Sequence, residues 1–198
     1  MEARILRLNS GGQPVDWLHW KEAACLHSRD MVCWSLGGIV KRVLGGCSRF
    51  TGQRSKLDLP AIIACHGSLP SVYAKSALQR QIRRGPPLTN NALFARDNHQ
   101  CLYCGKFYSK DQLSRDHVHP VSRGGKDRWE NVVAACKRCN QRKSNHLLSE
   151  TQLELLALPF RPNNAEYLAL INSARLRGDQ LDFLRPQFSK NSRLVQSH

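Results

Sequence analysis

The chain is short of acid. Its 198 residues carry 15 Asp and Glu against 30 Lys and Arg, a formal net charge of +15. An imbalance of that size selects polyanionic partners, nucleic acid ahead of an anionic membrane surface. Long apolar runs are missing too: no uncharged apolar run approaches the ~20 residues of a spanning helix, which sets the membrane aside. The opening decapeptide MEARILRLNS mixes charged with apolar residues and includes Glu2, so it lacks a signal-peptide pattern. A cytosolic setting with reduced thiols is therefore expected, and there cysteines serve as metal ligands or buried thiols rather than disulfides. Internal repeats and low-complexity tracts are absent. With 41% hydrophobic and 23% charged residues the composition is globular, not disordered. Aromatic residues are only 7%, and the four tryptophans are read as core filling rather than as a base-stacking platform.

The charge that is present is unevenly placed. Residues 80–145 hold 14 basic and 5 acidic side chains, whereas 1–79 hold 10 and 5 and 146–198 hold 6 and 5. Four of the eight cysteines, Cys101, Cys104, Cys136 and Cys139, fall in the same electropositive middle third. Cys25, Cys33, Cys47 and Cys65 lie among apolar neighbours without ligand spacing and read as small buried hydrophobes.

Local patterns give a coarse organisation. Residues 3–8 alternate like a strand, and Ser10 to Pro14 form a turn cluster. Asp16 is positioned to cap a helix over 17–27. Gly37-Gly38 between apolar runs predicts a hairpin, and Pro60 demotes the run 57–65 to an edge or bent strand. A short helix is expected over 71–82, then the basic, Pro-rich hinge Arg83 to Pro87. Asn90 or Asn91 would cap a helix over 92–97. Strands are predicted at 114–119 and 129–135, with a helix over 136–147. Beyond these, Ser149 with Gln152 forms a capping-box pattern, and Asn163 or Asn164 caps a helix reaching about Arg177.

The middle cysteines form C-x2-C-x31-C-x2-C. Two residues between ligands let a tight turn aim both sulfurs at one ion, and two such knuckles complete a tetrahedral four-cysteine Zn²⁺ site. The spacer is longer than a simple zinc ribbon needs, so something is built between the knuckles.

That spacer contains Arg115-Asp116-His117-Val118-His119-Pro120, then Ser122-Arg123-Gly124-Gly125 and Glu130-Asn131. Cys139 is followed by Asn140-x-x-Lys143. In these residues the sequence resembles the HNH endonucleases, with the His-Me finger or ββα-metal fold. The resemblance covers about 88–148, and more loosely the whole chain resembles small bacterial HNH proteins. It implies an α+β chain: a C-terminal ββα-metal nuclease unit with zinc knuckles, preceded by a small mixed α/β N-terminal domain. The expected boundaries are an N-terminal domain at 1–82, a linker at 83–89, the nuclease at 90–148 and a helical extension at 149–198.

The resemblance also implies roles. Asp116 and Asn140 offer hard oxygens to Mg²⁺ or Mn²⁺, and His117 takes a proton from water. Asn131 ties the loop and orients the base, and His119 contacts phosphate or assists the metal. Arg115, Arg123, Lys126, Arg142 and Lys143 are candidates to clamp the DNA backbone. Asp116 and His117 are neighbours on a strand and so point to opposite faces, so a distortion of the hairpin is expected to unite them. The expected activity is divalent-metal-dependent hydrolysis of double-stranded DNA, with structural Zn²⁺. With one such constellation per chain, a double-strand break needs a homodimer or two successive events. The competing reading is a silent zinc module that only binds nucleic acid.

Overall fold

The computed structural model describes residues 4–66, 86–190 and 192–195. The helix expected over 71–82 and the hinge residues 83–85 lie outside the described residues. The fold is mixed α/β and falls into two compact units. The first combines residues 4–66 with 164–188, and the second combines 86–163 with 189–195. The tail 149–198, read from sequence as one helical extension, is thus divided between the two units.

The first unit is built on a four-stranded sheet of β1 (Ile5–Asn9), β2 (Pro14–Leu18), β3 (Val32–Cys47) and β4 (Arg54–Cys65), in the order β2-β1-β4-β3. Helix α1 (Trp20–His27) lies over one face, where Ile5, Leu59, Ile63 and Cys65 meet Ala23 and Leu26. Leu6, Leu8, Ile62 and Ala64 face the other side and pack on Ala165, Leu168 and Leu184. Covering both faces explains why residues 61–65 at the end of β4 are a continuous apolar run, and why β1 is buried over residues 5–8 with Arg7 paired to Asp16.

Several sequence expectations are corrected in this unit. Asp16 lies in β2 and binds Arg7 at 2.6 Å; α1 is capped by His19, whose ring accepts from the Lys21 amide while Glu22 accepts from the His19 amide. Gly37-Gly38 do not turn the chain: β3 runs through them with register irregularities opposite β4. The Gly38 amide donates to Asp179 at 2.9 Å, and a Cβ on Gly37 would sit 2.9 Å from the same carboxylate, so these glycines admit a helix end rather than a hairpin. Finally β4 is interior to the sheet. Pro60 is tolerated because β1 pairs only with residues 62–65, leaving Pro60 with β3 alone beside it. Of the scattered cysteines only Cys65 is buried, and burial pushes its thiol up to about 11; Cys25 and Cys47 are exposed.

The second unit carries α2 (Asn90–Arg96), the hairpin of β5 (Leu113–His117) and β6 (Val132–Cys136), and α3 (Lys137–Lys143). Thr89, not either asparagine, caps α2 by accepting from the Ala92 amide. Arg96 and Asp97 are both fully buried. The Arg96 guanidinium donates to the carbonyls of Trp129, Val132 and Phe160, and Asp97 accepts the Ala134 amide, so one ion pair fastens α2 to β6. The segment after α3 does not form the helix expected from Ser149 and Gln152. It makes a 3-10 turn at Leu148–Glu150, and Leu148, Leu153 and Leu155 pack over Leu102, Tyr103 and Val133. In the first unit, α4 (Asn164–Ile171) stops short of Arg177, and α5 (Gly178–Leu184) follows.

Candidate active site

β5 and β6 pair antiparallel in unbroken register from Leu113↔Cys136 to His117↔Val132, and α3 follows β6 directly. Cys136 both ends β6 and caps α3, accepting the Cys139 amide at 3.4 Å, so the second knuckle is a helix N-terminus. The first knuckle is a tight turn in which Gly105 donates to the Cys101 carbonyl and Cys101 to that of Lys106. The four sulfurs lie within 4.8 Å of one another. A zinc tetrahedron with ~2.3 Å bonds has edges of about 3.8 Å, so the donor set fits a structural Zn²⁺. Burial raises the Cys101 thiol. At Cys104 burial is outweighed by donation from the Lys106 amide and the Tyr108 hydroxyl, which brings it down to about 7.

At the end of β5 lies an open polar cleft of about 360 Å³, lined by Arg115, Asp116, His117 and Asn140 with Ser144 and Asn145. The hairpin distortion expected to unite Asp116 and His117 is absent. Alternation is kept: Asp116 turns inward and is 4% exposed, while His117 is half-buried. The cleft reaches both because β5 ends there.

Asp116 accepts from the Tyr103 hydroxyl and from Lys143 Nζ at 3.2 Å. Burial and the adjacent Asp116 charge hold the Tyr103 phenol well above its ordinary value, so it remains a donor. Lys143 is fully buried and also donates to the His117 carbonyl at 2.7 Å. This corrects its reading as a backbone clamp: the ammonium is bound inside the unit, where it fixes the end of β5. Asn140 donates its Nδ2 to Ser114 Oγ at 2.8 Å and the Arg115 carbonyl at 3.4 Å, which leaves Oδ1 as its available oxygen.

Asp127 was not singled out by any spacing, yet it bridges two site residues. Its carboxylate accepts from Arg115 at 2.7 Å and lies 2.9 Å from His117 Nε2. Burial raises its acid, but hydrogen bonds from Arg115 and His117 outweigh that and hold it below 3.8.

Asn131 is buried and ties the loop: Oδ1 accepts the His119 amide at 2.9 Å, and Nδ2 donates to the carbonyls of His119 and Lys126. The same turn requires Gly125, where a Cβ would lie 1.9 Å from the His119 oxygen. His119 lies beyond the strand end, is exposed and does not line the cleft. Of the remaining basic candidates, Lys126 is exposed, Arg123 is bound to Glu150 at 2.7 Å and Arg142 reaches Gln152 at 3.5 Å. Among these positions only Arg115 borders the cleft.

Comparison with known proteins places this hairpin. Residues 101–156 match the HNH endonuclease family. A 51-residue stretch is 43% identical to the CRISPR-associated endonuclease Cas9 of Corynebacterium diphtheriae, covering 25% of this chain and 5% of that protein. A 46-residue stretch is 44% identical to that of Actinomyces naeslundii, covering 23% and 4%. The chain thus matches only a small fraction of either relative's length. The crystal structure of the Type II-C Cas9 enzyme from Actinomyces naeslundii aligns over 58% of this chain and 14% of that one, at 21% identity and a TM-score of 0.27. The family match and the four-cysteine cluster agree on one conclusion: residues 101–156 form an HNH endonuclease domain whose knuckles fit zinc.

Proposed function

We propose that this chain hydrolyses DNA phosphodiester bonds, using His117 as general base beside a divalent ion held by Asp116 and Asn140. The observation that carries this reading is the shared cleft, one polar space lined by His117, Asp116 and Asn140. The donors are hard oxygens, suited to Mg²⁺ or Mn²⁺, which keep water and phosphate as further ligands. Such an ion supplies charge neutralisation at the scissile phosphate and the leaving oxygen.

The chain's own groups supply the rest. An imidazole whose Nε2–H donates to Asp127 keeps its lone pair on Nδ1, free to take a proton from water. Arg115, aimed by Asp127 and Asn90, offers a guanidinium to the phosphate at the cleft edge. Tyr103 and Lys143 hold Asp116 in place, and Asn131 keeps the loop after His117 closed.

The test is supercoiled plasmid incubated with the purified chain, with and without added Mg²⁺ or Mn²⁺. Cleavage that depends on the added ion, with nicked circles preceding linear DNA, supports one site cutting one strand at a time. DNA bound but uncut with either ion would favour a silent binding module.

A further inference from the structure

We propose that the ribbon of β3 and β4 in the first unit is a second duplex-DNA contact, an arm whose tip inserts Phe50 against the bases. Residues 31–57 contain no Asp or Glu but include Lys41, Arg42, Arg49, Arg54 and Lys56. The first carboxylate beyond them, Asp58, is bound by Arg42 at 2.6 Å.

Packing divides the ribbon in two. Its base is held by Val40, Val43 and Leu57 against the cluster around α1. Every residue from 44 to 56 is exposed, and the paired strands continue to Cys47↔Arg54 before turning. At ~3.3 Å per residue the strand over residues 44–47 projects roughly 10 Å, and the turn 48–53 extends beyond it. At its end Phe50 is 100% exposed. Nothing in the unit's own packing calls for a large apolar ring at that place. Gly46 and Gly52 are open around their Cα atoms, so the tip backbone is free to approach a surface closely.

A basic two-stranded ribbon with one apolar side chain at its tip matches duplex DNA. Two-stranded ribbons can lie in the minor groove, where apolar wedges enter between base steps. Arginine and lysine on the ribbon flanks reach phosphates on either side. The choice of DNA over an anionic membrane rests on the nuclease reading above. It also rests on the tip itself, where Ser48, Thr51 and Gln53 surround a single ring and leave too little apolar surface to enter a bilayer.

The experiment measures binding of the full chain to a fluorescent 30-base-pair duplex across a salt series, without added divalent ions. Two variants are compared with the wild type: Arg49→Ala/Arg54→Ala/Lys56→Ala, and Phe50→Ala. Melting temperature and zinc content equal to the wild type establish that both fold; the substituted side chains are exposed, and the one internal hydrogen bond lost among the described residues is from Arg54 Nε to the Gly45 carbonyl.

The triple variant should bind at least tenfold more weakly at low salt, with a plot of log K against log salt shallower by about 2 to 3, near 0.9 per lost phosphate contact. Phe50→Ala should bind about tenfold more weakly with its salt slope unchanged, as loss of stacking predicts. Wild-type affinity in either variant overturns the proposal. So does a triple variant that keeps duplex binding but loses association with phosphatidylserine vesicles, which would make the ribbon a membrane contact. Cleavage is not read here, so an inactive catalytic cleft would leave this result standing, and a ribbon that binds nothing would leave the cleft's chemistry untouched.

Discussion

On the proposed mechanism, Asp127 is the residue whose removal would separate an oriented base from a merely present one. Its carboxylate joins the Arg115 guanidinium to His117 Nε2 within one loop. Replacing it with alanine should lower kcat on the order of ten- to a hundredfold, as loss of an orienting partner does at other histidine sites, with little change in duplex affinity. Asp127→Asn keeps an acceptor of the same shape and should recover much of that rate; equal loss in both variants would contradict an orienting role. The acid also gives a pH signature. Because its folded value lies below the ordinary 3.8, the link is complete above about pH 4 and is lost as pH falls through that lower value. Carbon-13 NMR of the Asp127 carboxyl should place its midpoint below 3.8, and a midpoint above it would mean the bridge does not form in solution.

The elements around the cleft are held by two fasteners of different chemistry. The first is Arg96–Asp97, a buried pair that links α2 to β6 through backbone carbonyls and an amide. Arg96→Ala leaves Asp97 buried with Arg193 as its remaining cation, so unfolding in urea should show a loss of about 3–5 kcal/mol. A loss under about 1 kcal/mol would show the pair to be dispensable, as exposed ion pairs commonly are. The second is the four-cysteine cluster, which joins the turn before β5 to the start of α3. Zinc in sites of this kind contributes on the order of ten kcal/mol to small domains, so Cys101→Ser should lose bound zinc and melt far below the wild type. Normal zinc content or an unchanged melt in that variant would contradict the assignment of the cluster as a structural fastener.

At the scale of the whole molecule, legibility followed the physics of each signal. The knuckles were readable because metal ligation fixes short spacings, whereas the ββα order and the choice of His117 and Asn140 came from the resemblance of the residues between and after the knuckles to the HNH endonucleases; strand period alone led to a hairpin distortion that the unbroken register does not show. Asn131 entered as a loop tie through the same resemblance, and its amide, which can both donate and accept, bridges the turn between His119 and Lys126. Asp127 and Tyr103 were not readable, since each meets its partner only through tertiary folding at no fixed spacing. Lys143 was misread because charge alone says surface, whereas this ammonium is satisfied by Asp116 and a carbonyl. Gly37-Gly38 were misread because a glycine that admits a helix end has the same sequence signature as one that turns a hairpin. The return of α4 and α5 to the N-terminal sheet also had no local signal. Only their small apolar face against Leu6, Leu8 and Ile62 specifies it.

The most direct test of the cleft as a nuclease centre is plasmid cleavage by His117→Ala beside the wild type, in Mg²⁺ or Mn²⁺, with melting, zinc content and duplex affinity measured on both. The His117 side chain is hydrogen-bonded only to Asp127 among the described residues, and the backbone carbonyl that Lys143 holds is kept in alanine, so the variant should fold, retain zinc and bind DNA as the wild type does. Its cleavage rate should fall roughly a hundred- to ten-thousand-fold, the usual cost of removing a general base. Cleavage at the wild-type rate, with unaltered dependence on the added ion, would contradict the account and leave residues 101–156 without the chemistry assigned to them.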